Sequence, residues 1–193
     1  DSRNAALTMH ERETVEVASR LMEEGYHTQV VPNGPVGGKG RRVRVYGRTK
    51  WDSRGPAHAL RQLGVIGNKH IPLAYLRGSI AQRRALLAGL MDSDGTVDWW
   101  GRCAFDNTNR GLADGVAELV RSLGVGCSLR HHHRAAPGRA DSWRACFTPT
   151  WSPFRLLGKA RRCKLARART RHYITAARLV APRRTVCIEV DAP

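Results

Sequence analysis

Residues 79–98 of this 193-residue chain read SIAQRRALLAGLMDSDGTVD, and they decide the fold. Ser79 followed three positions later by Gln82 is a capping-box pattern, which predicts a helix that begins near Ile80. Gly95 follows the last apolar turn and is expected to end the helix, and the residues after it are typical of a strand. The stretch therefore predicts a helix that runs directly into a strand.

The predicted helix has two distinct faces. Its apolar face is formed by Leu86, Leu87, Leu90 and Met91. A second face carries small residues at a spacing of four, namely Ala81, Ala85 and Gly89. Because such residues lie on one side of a helix, they allow another helix to approach closely.

Two carboxylates, Asp92 and Asp94, fall in the last turn of this helix. The helix dipole and the free carbonyls already make that end negative, so acids there are unfavourable unless a cation joins them. Carboxylate and carbonyl oxygens suit Mg²⁺, Mn²⁺ or Ca²⁺. An EF-hand is excluded, because Val97 stands where its loop needs glycine and Cys103 where it needs glutamate. A solvated acid pair in a turn is the alternative to a metal site.

The charge of the chain limits its class of partner. There are 33 lysines and arginines against 16 acids, for a net charge of +17. Such an excess attracts polyanions, and arginine, which greatly outnumbers lysine here, makes bidentate contacts with phosphate and guanine. We therefore expect a nucleic-acid partner. The alternative is that the cations are only solvated charges on the protein surface.

The sequence also indicates a cellular compartment. No stretch reaches the roughly 18 apolar residues of a membrane helix, and no secretion signal opens the chain. The five cysteines lack any CxxC pair, which fits neither a disulfide framework nor a zinc ribbon. We expect a reducing, intracellular environment and no membrane contact.

The sequence repeats itself at a distance of 99–100 residues. Residues 5–25 align with 104–124, each as a strand, a polar turn and a helix that closes on a glycine, Gly25 or Gly124. A glycine there suits the left-handed conformation that ends many helices. The alignment predicts that the chain contains two related halves.

The similarity continues downstream. Arg44 matches Arg144, and Trp51 matches Trp151. Two strands are predicted around a loop before each tryptophan, and a helix after it, over 54–64 and 153–166. Each half then follows the order strand, strand, helix, strand, strand, helix once a leading strand is supplied, which predicts an α+β protein.

The sequence LLAGLMDSDG at residues 86–95 resembles the signature of LAGLIDADG homing endonucleases, in the version embedded in inteins. NKHIP at 68–72 resembles the K-x-I-P block of that family, and GLADGVAELVRSLG at 111–124 resembles the helix after the second signature. RRTVCIEVDAP at 183–193 resembles the intein segment in which the chain returns to the splicing domain. The nearest resemblance is to inteins inserted in bacterial replicative DNA helicases.

The resemblance implies an α+β LAGLIDADG homing-endonuclease fold with two pseudo-symmetric αββαββ halves and a DNA-binding saddle. It implies an N-terminal half at 1–78, a C-terminal half at 79–172 and the start of a splicing segment at 173–193. In such enzymes the signature helices pack together at the pseudo-twofold axis. It further implies a monomer within the full-length intein, in the bacterial cytoplasm, with double-stranded DNA and the host protein as partners.

The resemblance also assigns catalytic roles. Asp94, as the last acid of the signature, would bind Mg²⁺ or Mn²⁺ at the scissile phosphate, and Asp92 would support it there. Lys69 would orient or polarise the attacking water. The reaction is metal-assisted hydrolysis of both DNA strands.

The resemblance further implies that DNA contacts come from arginines on the strand faces. These residues are Arg41, Arg42, Arg44, Arg48, Arg130, Arg134, Arg139 and Arg144. The basic stretch 155–171 is expected to contact phosphates, or else to form a solvated helix. Binding should then weaken steeply with salt.

The repeat distance leads to one departure from the family. The partner of Asp94 would fall five or six positions ahead of Asp1, so we expect the first signature helix to be absent from this chain. Cleavage of both strands by this chain alone is then expected to be impaired.

The end of the chain raises the question of splicing. Cys187 stands where inteins carry a catalytic acid or, in one class, a nucleophilic cysteine, although a buried strand cysteine is the alternative. No terminal His-Asn is present, so we expect no splicing by this chain alone. A DNA-binding domain that has lost catalysis and a pure splicing or interaction module are the competing functions.

Overall fold

The fold is α+β, with two antiparallel sheets that each carry a helix. The computed structural model describes residues 5–34, 40–48, 55–133, 140–167, 174 and 176–186. In chain order its elements are β1 (Ala5–His10), α1 (Glu11–Glu23), β2 (Thr28–Pro32), β3 (Gly40–Val45), α2 (Pro56–Gln62), α3 (Leu73–Leu76), α4 (Ile80–Asp94), β4 (Gly95–Val97), β5 (Cys103–Asn107), α5 (Arg110–Ser122), β6 (Cys127–His132), β7 (Ser142–Phe147) and α6 (Leu157–Ala160). We call β1 to α2 the first half and α4 to α6 the second half, with α3 between them.

Each half is organised around one sheet. In the first half the strand order is β1-β3-β2, and in the second half it is β4-β5-β7-β6. Helix α1 packs against the first sheet, and α5 packs against the second. The α+β class and the paired-strand organisation predicted from the sequence are therefore confirmed. None of the helices in the described ranges combines the length and apolar character needed to cross a bilayer.

The helices α1 and α5 end in the same way, as the predicted repeat requires. Gly25 follows α1 with φ +87°, and Gly124 follows α5 with φ +78°. In both cases the next amide donates to a carbonyl five residues earlier, at 2.9 and 3.3 Å respectively. This cap needs a left-handed residue, which glycine adopts without strain. The two helices are related by the expected offset of 99 residues.

The strands β3 and β7, which come last in each sheet along the chain, are separated by a different number of residues from the other repeated elements. Thr28 pairs with Val45 in the first sheet, and Cys127 pairs with Phe147 in the second. The strands β2 and β6 thus keep the 99-residue offset, whereas β3 and β7 differ by 102. The hairpin loops in between have different lengths, so a constant spacing fails here.

This register corrects the predicted match between Arg44 and Arg144. The structural counterpart of Arg144 is Arg42, two residues earlier. A shift of two residues keeps a side chain on the same face of a strand, so the expected face is unchanged. The other matched residue, Trp51, lies outside the described residues.

The larger apolar core belongs to the second half. Helices α4 and α5 and the second sheet enclose Leu87, Met91, Phe105 and Leu119, all at most 1% exposed. The short helix α3 and the preceding Ile71 pack into the same cluster. The core of the first half is formed by Ala18, Val43 and Val45, with a few partly buried neighbours.

The helix predicted over 153–166 is wrong, because α6 has only four residues. Arg162 and Cys163 donate to carbonyls three residues earlier, which is turn geometry, and Ala166 donates to Pro149 O at 2.9 Å. Backbone groups of this segment are therefore satisfied by tertiary contacts instead of a longer helix. The helix predicted over 54–64 is confirmed as α2.

Candidate active site and nucleic-acid interface

The signature helix α4 is built as its sequence predicts. Gln82 N–H donates to Ser79 Oγ at 3.2 Å, and Ser79 N–H donates to Gln82 Oε1 at 2.9 Å, which completes the capping box. The helix ends at Asp94, and Gly95 is the first residue of β4. A Cβ on Gly95 would lie 2.5 Å from Met91 O, so only glycine permits this direct passage from helix to strand.

Asp94 is the exposed last residue of α4. Among the described residues, no donor makes a hydrogen bond or ion pair with its carboxylate. Both oxygens are therefore available to an external ligand. Carboxylate oxygens of this kind suit a hard divalent cation.

Asp92 has a different environment. Its Oδ1 accepts from the backbone amides of Arg155 and Leu156, both at 3.1 Å. The side chain thus binds the two residues that directly precede α6. Burial raises the pKa of Asp92 above its usual value, while the two amide hydrogen bonds act in the opposite direction. Of the two predicted metal ligands, Asp94 is the one whose carboxylate oxygens accept no hydrogen bond from the described residues.

A lysine occupies the negative end of α4. The buried Lys159 donates from Nζ to Met91 O at 3.2 Å, Asp92 O at 2.6 Å and Gly95 O at 3.0 Å. It satisfies carbonyls that a helix end leaves free and opposes the helix dipole. Burial lowers the pKa of Lys159, while the nearby acids act against this shift. Lys159 therefore departs from both readings of the basic stretch 155–171, because its buried ammonium contacts neither phosphate nor solvent.

Residues 155–159 also bind the first half to this helix end. Glu16 Oε1 of α1 accepts from Leu157 N–H at 3.2 Å. Arg20 Nη2 donates to Arg155 O at 2.7 Å and pairs with Glu16 at the same distance. Polar contacts from α1 therefore hold the segment that caps α4.

Lys69 lies in an exposed segment whose backbone is fixed. Asn109, the N-cap of α5, donates from Nδ2 to Lys69 O at 2.9 Å. Ile71 is 8% exposed, and its side chain faces Gly115 of α5, where any Cβ would lie 3.3 Å away. The predicted K-x-I-P block is thus anchored on α5. No contact within the described ranges joins Lys69 to Asp94.

Within those same ranges, no group of three or more histidine, cysteine or acidic side chains is arranged to hold a metal ion. The divalent site predicted from the sequence is represented by Asp94 alone, which has a suitable and accessible carboxylate.

A groove runs along the face of the second sheet that points away from α5. It has a volume of about 490 Å³. Its lining includes Thr96, Ser128, Arg130, His132, Arg144 and Cys146. Alternate residues of the same strands, such as Phe105 and Ala145, are fully buried on the α5 side. The sheet therefore presents one apolar face to the core and one polar, arginine-bearing face to its surroundings.

The predicted arginines of the first half do not all share a face. Arg42 and Arg44 are exposed, and they alternate with the buried Val43. Arg41 falls on the same side as Val43 by this alternation. Arg48 lies with its guanidinium carbon 5.4 Å from the ring centre of Tyr26.

The predicted arginines of the second half are also held differently. Arg130 is exposed and, in the part of the chain that the structure describes, has no partner. Arg144 forms an ion pair with Asp106, with Nη2 2.7 Å from Oδ2. Arg134, Arg139 and Cys187 lie outside the described residues.

Two residues of this region were missed by sequence reasoning. Lys159 was grouped with surface cations, and a hint of its role is that the acidic end of α4 requires a cation. Asp106 was not singled out, because its significance depends on which residue of β7 lies opposite. The alternation of Ala104 and Asp106 with buried neighbours in β5 places Asp106 on the polar face, but the sequence does not give its partner.

Known proteins resemble this chain in sequence and in fold. Residues 81–157 match the family of LAGLIDADG-like domains. Over 141 residues the chain is 44% identical to the replicative DNA helicase DnaB of Mycobacterium intracellulare. The aligned region covers 68% of this chain and 24% of the helicase. The chain thus spans about a quarter of the length of that relative.

Solved structures of the homing endonuclease I-DmoI are also similar. Its complex with DNA and calcium superposes with a TM-score of 0.52 at 13% identity, covering 82% of this chain and 81% of that one. Its complex with DNA and manganese gives a TM-score of 0.48 at 14% identity, with 75% and 73% covered. The first of these likenesses shows the fold, and the family match over residues 81–157 agrees with it. Residues 81–157 therefore form a LAGLIDADG-like domain, and the chain has the homing-endonuclease fold.

Proposed function

We propose that this chain is the endonuclease part of an intein in a replicative DNA helicase, and that it hydrolyses both strands of a specific double-stranded DNA site to promote intein homing. The observation that carries the proposal is Asp94. Its exposed carboxylate, which accepts no hydrogen bond from the described residues, ends the signature helix at the point where the chain enters the second sheet. This arrangement brings a hard oxygen ligand next to a basic surface.

The charge of the protein supports DNA as the substrate. The net charge of +17 would concentrate DNA around the chain, and the groove of the second sheet supplies Arg130 and Arg144. On the first sheet, Arg42 and Arg44 give a second exposed pair. Phosphate contacts would position the duplex, and contacts with base edges would select the sequence.

The described residues fit a divalent cation at one point. Asp94 would hold Mg²⁺ or Mn²⁺ through its free oxygens, whereas Asp92 would support the helix end through its contacts with residues 155 and 156. When bound, such an ion neutralises charge at the scissile phosphate and lowers the pKa of a water molecule. Lys69 would orient the attacking water from the segment that α5 anchors.

The helicase relative supports the proposed context. Because the similarity to DnaB covers a quarter of that protein, an inserted element with its own function is consistent with it. We propose that residues 1–78 and 79–172 form the two endonuclease halves and that 173–193, with Cys187, begin a splicing segment. The proposed partners are the remainder of the intein and the host helicase, as a monomer in the bacterial cytoplasm.

A cleavage assay tests this proposal. The longest polypeptide that contains the chain is incubated with a plasmid that carries the uninterrupted helicase coding sequence. We expect Mg²⁺-dependent cutting of both strands, loss with a chelator, and loss of at least about a hundredfold in rate for Asp94→Asn. Asp114→Asn, an exposed acid on α5, is the control. Cutting that survives chelation or Asp94→Asn would overturn the proposal.

A DNA-binding domain without catalysis is the second candidate. The observation that favours it is Lys159, which supplies a cation from the chain itself at the end of α4. Binding to the same plasmid that weakens with salt, without any metal-dependent nick, would support this alternative.

A further inference from the structure

The polar face of the second sheet carries an acid beside an arginine of the groove, where a DNA-binding surface has an electrostatic reason to avoid one. Asp106 lies on β5 directly opposite Arg144 of β7. Arg144 donates from Nε at 2.9 Å and from Nη2 at 2.7 Å, and both bonds reach the same oxygen, Oδ2. A carboxylate facing DNA repels phosphate, so this acid lowers the non-specific attraction of the surface.

The pair is more rigid than an ordinary surface ion pair. The side chain of Asp106 is only 14% exposed and that of Arg144 is 41% exposed. Charge-assisted hydrogen bonds in such a site are short and directional. His132 approaches the same carboxylate, with Nδ1 3.9 Å from Oδ2. The guanidinium of Arg144 is therefore held in one orientation.

The ion pair leaves a specific part of that guanidinium free. Arg144 uses Nε and one proton of Nη2 toward Asp106, so Nη1 and the second proton of Nη2 remain as a two-pronged donor. This fork matches the O6 and N7 acceptors of guanine in the major groove. Because the orientation is fixed before binding, little conformational entropy would be lost in the contact.

The equivalent arginine of the first half is held by a different kind of partner. Arg42 is the counterpart of Arg144, and the residue opposite it on β1 is Thr8. Arg42 donates to Asn33 Oδ1 at 2.8 Å through one nitrogen, in an exposed site. A single neutral acceptor fixes a guanidinium less firmly than a carboxylate held by two bonds.

We propose that Asp106 is a positioning residue for base recognition, which holds Arg144 in the orientation that reads one guanine in the part of the target bound by the second half. The proposal rests on the proposed function, since it requires double-stranded DNA in the groove. It assigns sequence selection at this position to an acid and its arginine together. The neighbouring Arg130, exposed and without a partner among the described residues, would contact phosphate.

Selection from a library of randomised duplex DNA tests the proposal. The full polypeptide is used in the presence of a chelator, so that binding is measured without cleavage. For Asp106→Asn we expect the guanine preference to fall on the order of tenfold at one position of one half-site. Total affinity for random DNA should not fall, because a negative charge has been removed. Arg144→Lys, which keeps the charge but not the fork, should lose the same preference.

Asp114→Asn is the matched control, because Asp114 also pairs with an arginine, Arg110 on α5, at 3.5 Å. It should select the wild-type sequence. Thermal unfolding of all three variants establishes that they fold. If wild type and Asp106→Asn select the same sequence, the inference about Asp106 is overturned while the proposed function stands. If Asp106→Asn weakens every position equally, its role is structural and the inference is also overturned. If wild type selects no sequence, the proposed function fails together with it.

Discussion

The two halves of the molecule follow the same path but are stabilised to different degrees. Around the second sheet, α4 inserts Leu87 and Met91 between α5 and the strands, and sixteen buried residues among those that the structure describes form one cluster. In the first half the cluster has three, and Leu7 and Val30 on its strands are 38% and 46% exposed. Within the described residues, only the second sheet has a strand in the place of β4. The comparison teaches that the helix which adds Leu87 and Met91 to the larger core is also the helix that ends in Asp94.

The largest effect should come from removing a side chain of α4 from that core. Leu87→Ala should lower the free energy of unfolding by about 3 kcal/mol, because a cavity forms next to residues that are fully buried. Chemical denaturation measures this value. Val15→Ala on α1, where the side chain is 71% exposed, should change it by less than about 0.5 kcal/mol. Equal losses would contradict the burial of Leu87 in the larger core.

The next effect concerns the segment that holds α4 from outside. Lys159→Met should cost about 2 kcal/mol, since buried carbonyls of α4 lose their donor. Arg161→Met, an exposed neighbour, is the control. If both variants unfold at the same denaturant concentration as wild type, Lys159 does not stabilise the helix end.

A smaller effect should be equal in the two halves. Gly25→Ala and Gly124→Ala should each cost about 1 kcal/mol, because both glycines have positive φ and neither Cβ would meet a neighbour. The loss is thus purely conformational. Thermal unfolding of both variants checks the equivalence, and clearly different losses would argue against identical helix caps.

The smallest effect should appear in DNA binding. Arg42→Ala and Arg130→Ala should each reduce the slope of log affinity against log salt by about 1, as expected for one lost phosphate contact. Binding titrations at several salt concentrations measure it. An unchanged slope for one variant would show that only the other half contributes that contact.

Local signals made much of this fold predictable from sequence. The capping box of Ser79 and Gln82, the glycines after α1 and α5, and the alternation of arginine and valine in β3 each depend on a few adjacent residues. Such signals remain valid whatever the tertiary structure is. The start and end of α4, the position of Asp94 and the paired strands were therefore expected correctly.

Features that depend on distant partners were not predictable in the same way. The helix expected over 153–166 is shortened because its backbone bonds to Pro149 and its lysine turns inward to α4. The match of Arg44 with Arg144 failed because hairpin loop lengths set the register. The role of Asp106 required knowing which arginine lies across the sheet. Each case involves a contact between segments that the sequence alone does not align.

The direct passage from α4 into β4 has a consequence for any DNA bound in the groove. No flexible connection separates Asp94 from the sheet, because Gly95 is at once the helix cap and the first strand residue. Under the proposed function, the number of base pairs between the recognised sequence and the cut would be dictated by covalent geometry. Inserting a single residue between Asp94 and Thr96 would therefore displace the cleavage position and leave the recognised sequence unaltered.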